Sequence, residues 1–225
     1  MKRPSFHLLG AALLLSTASS DAAVYTAWAF NGAGGTFTTD VTASTFPGTP
    51  KFTRLGSEAG AINNGGQAYT NATYSINYSA GQAVQWAGNG TGQGNAFTVA
   101  LNTTGLTNLT FRMDIRSAQS SGGARSTAFT SVTYDTGAGP VAIAGIPGFG
   151  TTTNDYTSYT FSLAGLTAIE NQPNVTFRFE IPDQNMPASF ANIRFDNLLV
   201  TAVPEPSAAI LALSGLGLMT LRRRP

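Results

Sequence analysis

The feature that most constrains this 225-residue chain is an alternation of apolar and polar residues with period two, repeated in short runs. Leu109, Phe111, Met113 and Ile115 alternate with Thr110, Arg112, Asp114 and Arg116; Val175, Phe177, Phe179 and Ile181 alternate with Thr176, Arg178 and Glu180. Successive side chains of a strand point to opposite faces, so each run offers one face to a core and one to water. Almost no segment carries a 3.6-residue apolar period, and the one stretch with a helical look, 163–171, reads as a connecting turn. Further strands are expected at 25–30, 83–87, 96–101, 129–134, 157–163 and 193–200, with glycine-rich turns at 88–94 and 145–150 between them. This pattern predicts an all-β fold, a two-sheet antiparallel sandwich with jelly-roll topology. No fixed-period repeat suggests a solenoid or propeller. Residues 31–66, rich in Gly and Thr, are left between a long loop and edge strands.

One predicted strand breaks its own rule. Its apolar residues are odd-numbered at Ile193 and Phe195 but even-numbered at Leu198 and Val200, so the alternation slips at Asp196 and Asn197. A one-residue slip turns every later side chain to the other face, and a β-bulge is the usual remedy.

The two ends are of different character. Lys2 and Arg3, an apolar run at 8–15 and small residues at 16–23 have the anatomy of a secretory signal peptide, with cleavage expected between Ala22 and Ala23. At the other end Val203, Pro204, Glu205 and Pro206 form a stiff extended stretch, because each proline fixes φ and restrains the residue before it. Residues 207–221 are uncharged and apolar, and Arg222, Arg223 and Arg224 follow. As a helix the apolar run would reach roughly 22 Å, short of a hydrocarbon core of about 30 Å. An N-terminal signal-peptide helix and a C-terminal hydrophobic helix are thus expected to flank the sandwich: 1–22 signal peptide, 23–202 body, 203–225 tail.

The order Pro-Glu-Pro, apolar span, arginine cluster resembles the PEP-CTERM sorting signal of Gram-negative bacteria. That resemblance implies an exosortase that cuts near the motif and passes the body to the cell surface. The secretory translocon and signal peptidase would act first, and the inner membrane would hold the chain transiently. The residues alone also suit an ordinary C-terminal anchor with a proline-rich stalk.

Five of the 12 basic and two of the 11 acidic residues lie in these end segments, which leaves the body with seven and nine and a charge near −2. Without a basic cluster, nucleic acid is not an expected partner. The chain has no Cys, and its single His, His7, lies in the expected signal peptide. A body without either excludes Ser-His-Asp and Cys-His nucleophiles and ordinary zinc sites. Asp114 and Glu180 are candidates for a glycosidase carboxylate pair. Each has arginines beside it on an expected wet face, which reads instead as cross-strand charge pairing. No catalytic residue is assigned and the chain is read as non-enzymatic.

Binding needs less machinery. Trp86, Tyr69, Tyr74, Tyr78 and Tyr156 lie in or beside polar, loop-like sequence and are candidates for an aromatic sugar platform; the alternative is core or rim packing. The closing strand, Phe195, Asp196, Asn197, Leu198 and Val200, resembles the last strand of carbohydrate-binding-module-like and galactose-binding-like jelly rolls. That resemblance implies a structural Ca²⁺ held by Asp196, with Asn31 and Asp40 as nominal partners; a solvated bulge with Asp196 capping a turn is the alternative. The expected function is that of an exported surface or matrix protein associated with exopolysaccharide and biofilm. A carbohydrate-binding module is the runner-up, and an ice-binding surface or a glycosidase stand behind it.

Overall fold

The computed structural model describes residues 21–30, 41–42, 48–55, 62–63, 66–73, 76–78, 80–87, 95–119, 129–146, 155–181 and 191–205. The two expected flanking helices lie outside these residues, and no helix among the described residues is long and apolar enough to cross a membrane. In chain order the strands are β1 (Ala23–Trp28), β2 (Val41–Thr42), β3 (Lys51–Leu55), β4 (Ile62–Asn63), β5 (Tyr69–Asn71), β6 (Ile76–Tyr78) and β7 (Ala83–Ala87). There follow β8 (Ala96–Leu101), β9 (Leu106–Gln119), β10 (Ser131–Asp135), β11 (Val141–Ala142), β12 (Thr157–Ser162), β13 (Val175–Glu180) and β14 (Ala191–Pro204).

All pairings are antiparallel, and two sheets face each other as a sandwich. The larger runs β12-β9-β14-β1-β2, with β7 also paired to β14 and β4 to β7; the smaller runs β11-β10-β13-β8-β3. The fold is therefore all-β, as the alternation requires. Residues 163–171 connect β12 to β13 through a 3₁₀ turn at Thr167–Ile169. Within 31–66, the described strands β2, β3 and β4 all sit at sheet edges. That is where short, weakly apolar segments can pair without needing two buried faces.

The core is a layer of phenylalanines contributed by both sheets. Phe97 of β8 stacks on Phe179 of β13 at 4.6 Å and meets Phe195 of β14 edge-on at 5.2 Å. Phe111 of β9 meets Phe177 of β13 edge-on at 4.9 Å. Phe129, just before β10, stacks on Phe195 at 5.4 Å. All these rings but Phe129 are no more than 2% exposed. Offset and edge-on contacts of this kind add about 0.5–1.5 kcal/mol per pair to the burial itself. Tyr25 pegs the sheets together at the border of the core: its hydroxyl donates to the Asn102 carbonyl at 2.8 Å and accepts from the Asn102 N–H at 3.0 Å.

The expected slip in the last strand has a structural counterpart. Pairing of β14 with β9 shifts between Asp196 and Leu199, and Asn197 has φ of 49°. Asn is among the few side chains that tolerate this left-handed conformation. Before the bulge Ile193 and Phe195 face the main core; after it Leu198 and Val200 do, and Leu199 joins a separate cluster on the opposite face.

Removing Phe97, which touches rings of both sheets, is expected to cost the most of any core truncation. Phe97→Ala should lower the stability read from urea unfolding by ~3–5 kcal/mol, the range for a large ring deleted from a rigid core.

Candidate functional site

Polar residues on the outer face of the larger sheet are not laid out as a plain wet surface. The chain from Gly66 to β6 crosses over that face. Ile76 and Tyr69 pack there against Val24, Ala27 and Leu199 as a second small apolar cluster. Beneath this crossing Asp114, Asp196 and Asn197 are at most 1% exposed. Asp114 was expected on a wet face and is fully buried instead, because the alternation fixes only which side of the sheet it is on and not what lies over that side.

Both buried carboxylates and the Asn197 side-chain NH₂ are hydrogen-bonded. Asp114 accepts from the Arg112 guanidinium at 2.8 Å, from the Ser158 hydroxyl, and from the Asn197 side-chain amide at 2.8 Å. Asp196 accepts from the N–H of Asn197 at 2.8 Å and from the N–H of Gln67 at 2.6 Å. Asn197 donates a further bond to the Gln67 carbonyl at 2.9 Å. The bulge is thus stitched to the crossing chain at both the donor and the acceptor of Gln67. Gly66 makes that approach sterically feasible: a Cβ there would lie 2.3 Å from the Gln82 carbonyl oxygen and 2.6 Å from an Asp196 carboxylate oxygen.

The ion pairs also differ from expectation. Arg112 pairs with Asp114 on its own strand, and Arg178 with Glu180 on its own strand at 3.1 Å. Residues two apart share a face, and a long arginine reaches its i+2 neighbour as readily as a cross-strand one. Asp114 and Glu180 stand in different sheets, so they do not form one carboxylate pair. The Glu180 carboxyl is held below its ordinary value, first by the Ser131 hydroxyl and then by Arg178.

The candidate platform residues fall in different places. Tyr69 is half-buried in β5 with the Arg112 guanidinium 3.7 Å above its ring centroid, a cation–π contact. Tyr78 lies opposite Tyr69 in the two-stranded β5–β6 ladder, and Tyr74 is outside the described residues. The register sets Trp86 opposite Ile193, and Gln85 opposite Arg194 on the outer face. Sequence reasoning missed that Tyr69–Asn71 and Ile76–Tyr78 pair as an antiparallel two-stranded ladder; its cue is the alternation Tyr69, Ile76 and Tyr78.

A row of side chains runs beside the buried cluster. Arg116 of β9 and Arg194 of β14 are directly opposite, and Gln85 of β7 is opposite Arg194 on its other side. Arg194 donates from Nε to Gln85 at 2.9 Å and is hydrogen-bonded to the Tyr156 hydroxyl. Burial holds the Arg194 guanidinium below its ordinary value, and Arg116 adds to this by repulsion. Burial likewise raises the Tyr156 hydroxyl, with Asp196 and Asp114 adding to it and the two arginines opposing.

Of the nominal Ca²⁺ ligands, Asn31 and Asp40 lie outside the described residues. Asp196 uses both carboxylate oxygens on backbone N–H groups, and among the described residues no group of three or more acidic or His/Cys side chains is placed to hold a metal ion. In these surroundings Asp196 anchors chain to chain.

At the C-terminus, Val203 and Pro204 belong to β14, opposite Thr107 and Leu106, and the Glu205 N–H donates to the Gly105 carbonyl at 2.8 Å. At the same end Ala23 of β1 is paired with Ala202.

Residues 202–224 match the PEP-CTERM protein-sorting motif. No curated protein matches the chain. Among solved structures it is similar to a xylan-binding domain from Paenibacillus barcinonensis, at 13% identity and a TM-score of 0.44 over 81% of this chain and 97% of that one. It is similar also to the N-terminal cellulose-binding domain of a Cellulomonas fimi β-1,4-glucanase, at 15% identity and a TM-score of 0.31 over 66% and 99%. A carbohydrate esterase from the Shiga toxin-encoding bacteriophage phi24B gives 10% identity and a TM-score of 0.39 over 81% and 100%.

Two outcomes are expected of the site's geometry. Gly66→Ala should lower stability by ~1–3 kcal/mol, the usual range for overpacking, as read from the urea midpoint, while Gly137→Ala, where a Cβ meets nothing within 4 Å, carries only its positive-φ strain. For Tyr156 the native state keeps a proton that the unfolded state releases near pH 10.0. Its stabilisation is therefore complete below that pH and lost as pH rises beyond it. Melting temperature followed from neutral into alkaline pH should fall less steeply in Tyr156→Phe; an unchanged slope would contradict the raised value. Tyr25, also raised by burial, leaves part of the slope in the variant.

Proposed function

We propose that a chain ending in this sorting motif is a non-catalytic exported protein whose β-sandwich is displayed at the cell surface and associates there with extracellular polysaccharide. The observation that carries the reading is the PEP-CTERM motif over 202–224. It marks an exported protein sorted to the cell surface and implies an exosortase as its processing partner. In our reading the translocon delivers the chain and signal peptidase cuts between Ala22 and Ala23. The apolar stretch 207–221 then holds it in the inner membrane until the exosortase acts, leaving 23–202 as the functional body in an exopolysaccharide or biofilm matrix.

The pairing of Ala23 with Ala202 supports this division, because it brings both proposed processing points to one end of the sandwich. The body would then stand on the membrane by that end, with its opposite end and faces turned to the periplasm. The apolar stretch is shorter than a comfortable span, which suits a segment that is read and removed. A second reading, a carbohydrate-binding module, is favoured by the half-buried tyrosines, the amide and the arginines gathered on the outer face of the larger sheet. These are group types that stack on and hydrogen-bond to sugars.

Mass spectrometry of the intact protein, from strains with and without the exosortase, tests the sorting route. The expected result is an N-terminus at Ala23 in both strains and a shortened C-terminus only where the exosortase is present. A chain ending at Pro225 in both strains would overturn it.

A further inference from the structure

The outer row of the larger sheet contains an arrangement that neither the fold nor the sorting route requires. Arg116 and Arg194 are directly opposite in an antiparallel ladder, a position where Cβ atoms are about 4.5–5.5 Å apart and like charges are destabilising. Arg194 is oriented from both sides, by Gln85 and by the Tyr156 hydroxyl. Tyr156 reaches the row because it lies one register step before the Thr157–Ile115 pair, next to Arg116. Arg116 has no such support. Among the described residues it makes no ion pair or side-chain hydrogen bond, and its Nε is buried without an acceptor.

The neighbouring carboxylates have partners of their own. Asp114 is committed to Arg112, Ser158 and Asn197, and Asp196 to the N–H groups of Asn197 and Gln67. Both arginines are only half-buried, so a ligand can reach them. Two guanidinium forks side by side, one of them pre-aimed, match an oxyanion, which accepts charge-assisted bonds from both and removes their repulsion.

We propose that Arg116 and Arg194, flanked by Tyr156 and Gln85, bind an oxyanion carried by an acidic polysaccharide, the carboxylate of a uronate or a sulfate ester. This rests on the polysaccharide-associated reading above and narrows it to anionic glycans. The ligand's charge meets the arginine pair, with Tyr156 beside it and Gln85 beneath holding Arg194 in place. Because the body as a whole is slightly acidic, attraction of a polyanion to this face is local to the row and screened by salt.

Affinity electrophoresis of the full chain in detergent, through gels containing polygalacturonate, dextran sulfate, xylan or soluble cellulose derivatives without charge, tests the site. Retardation by an acidic polymer is expected, weakened at least about tenfold in Arg116→Gln/Arg194→Gln and only partly in Arg116→Lys, which keeps the charge but not the fork. Arg178→Gln, on the other sheet, should leave it unchanged, which separates the site from general charge loss. Polygalacturonate alone identifies a uronate and dextran sulfate alone a sulfate ester. Retardation by neutral polymers only, equal in wild type and double variant, overturns the oxyanion site and leaves the polysaccharide reading standing. If the acidic polymers retard wild type and double variant alike, the site is overturned as well. Absence of retardation in every gel overturns both. Should the double variant fail to fold, Arg116→Lys against wild type decides: no loss of retardation by the acidic polymer overturns the site.

Discussion

A single left-handed residue, Asn197, holds the two faces of the larger sheet in their roles. Strand β14 lies between β9 on one side and β7 and β1 on the other, so its phase governs what the centre of the sheet presents. Without the bulge, the residues that put Phe195 into the phenylalanine layer would put Leu199 there too and turn Leu198 and Val200 outward. With it, Leu198 and Val200 continue the core while Leu199 becomes the floor for Ile76 and Tyr69. A left-handed Asn costs backbone energy, and its side chain offsets part of that by bonding Asp114 and the Gln67 carbonyl.

The same bulge explains how acidic groups come to be buried in a protein with so few charges. Isolated carboxylates are expensive to remove from water, and they persist there only where donors surround them. Asp114 has an arginine, a hydroxyl and an amide; Asp196 has two backbone N–H groups. Both carboxylates thereby serve the residues that fasten the crossing chain, and the Arg116–Arg194 pair lies alongside. The fastening residues and the proposed oxyanion site are adjacent on one face but use different residues.

Much of the architecture was legible in the residues. The alternation at 109–116 and 175–181 set strands β9 and β13 and their inward faces, and the broken parity around Asp196 and Asn197 located the bulge. The β5–β6 ladder was not legible, because its strands are three residues long and Tyr69 and Ile76 pack on an outer face that periodicity assigns to solvent. The burial of Asp114 was missed for the same reason. The candidate site was legible only in fragments: Tyr69 and Tyr156 were singled out as aromatics, but their partners Arg112 and Arg194 come from strands far away in sequence.

Sequence by itself determined that this chain is all-β, that it carries a sorting motif at 202–224, and that it has no Cys and a single His, His7. These follow from local order and composition, which need no knowledge of neighbours. Tertiary structure alone decided which strands are adjacent, what covers the outer face, and that Arg116 meets Arg194. Register across a ladder joins residues dozens of positions apart, and no local pattern encodes which polar side chain will lie opposite which.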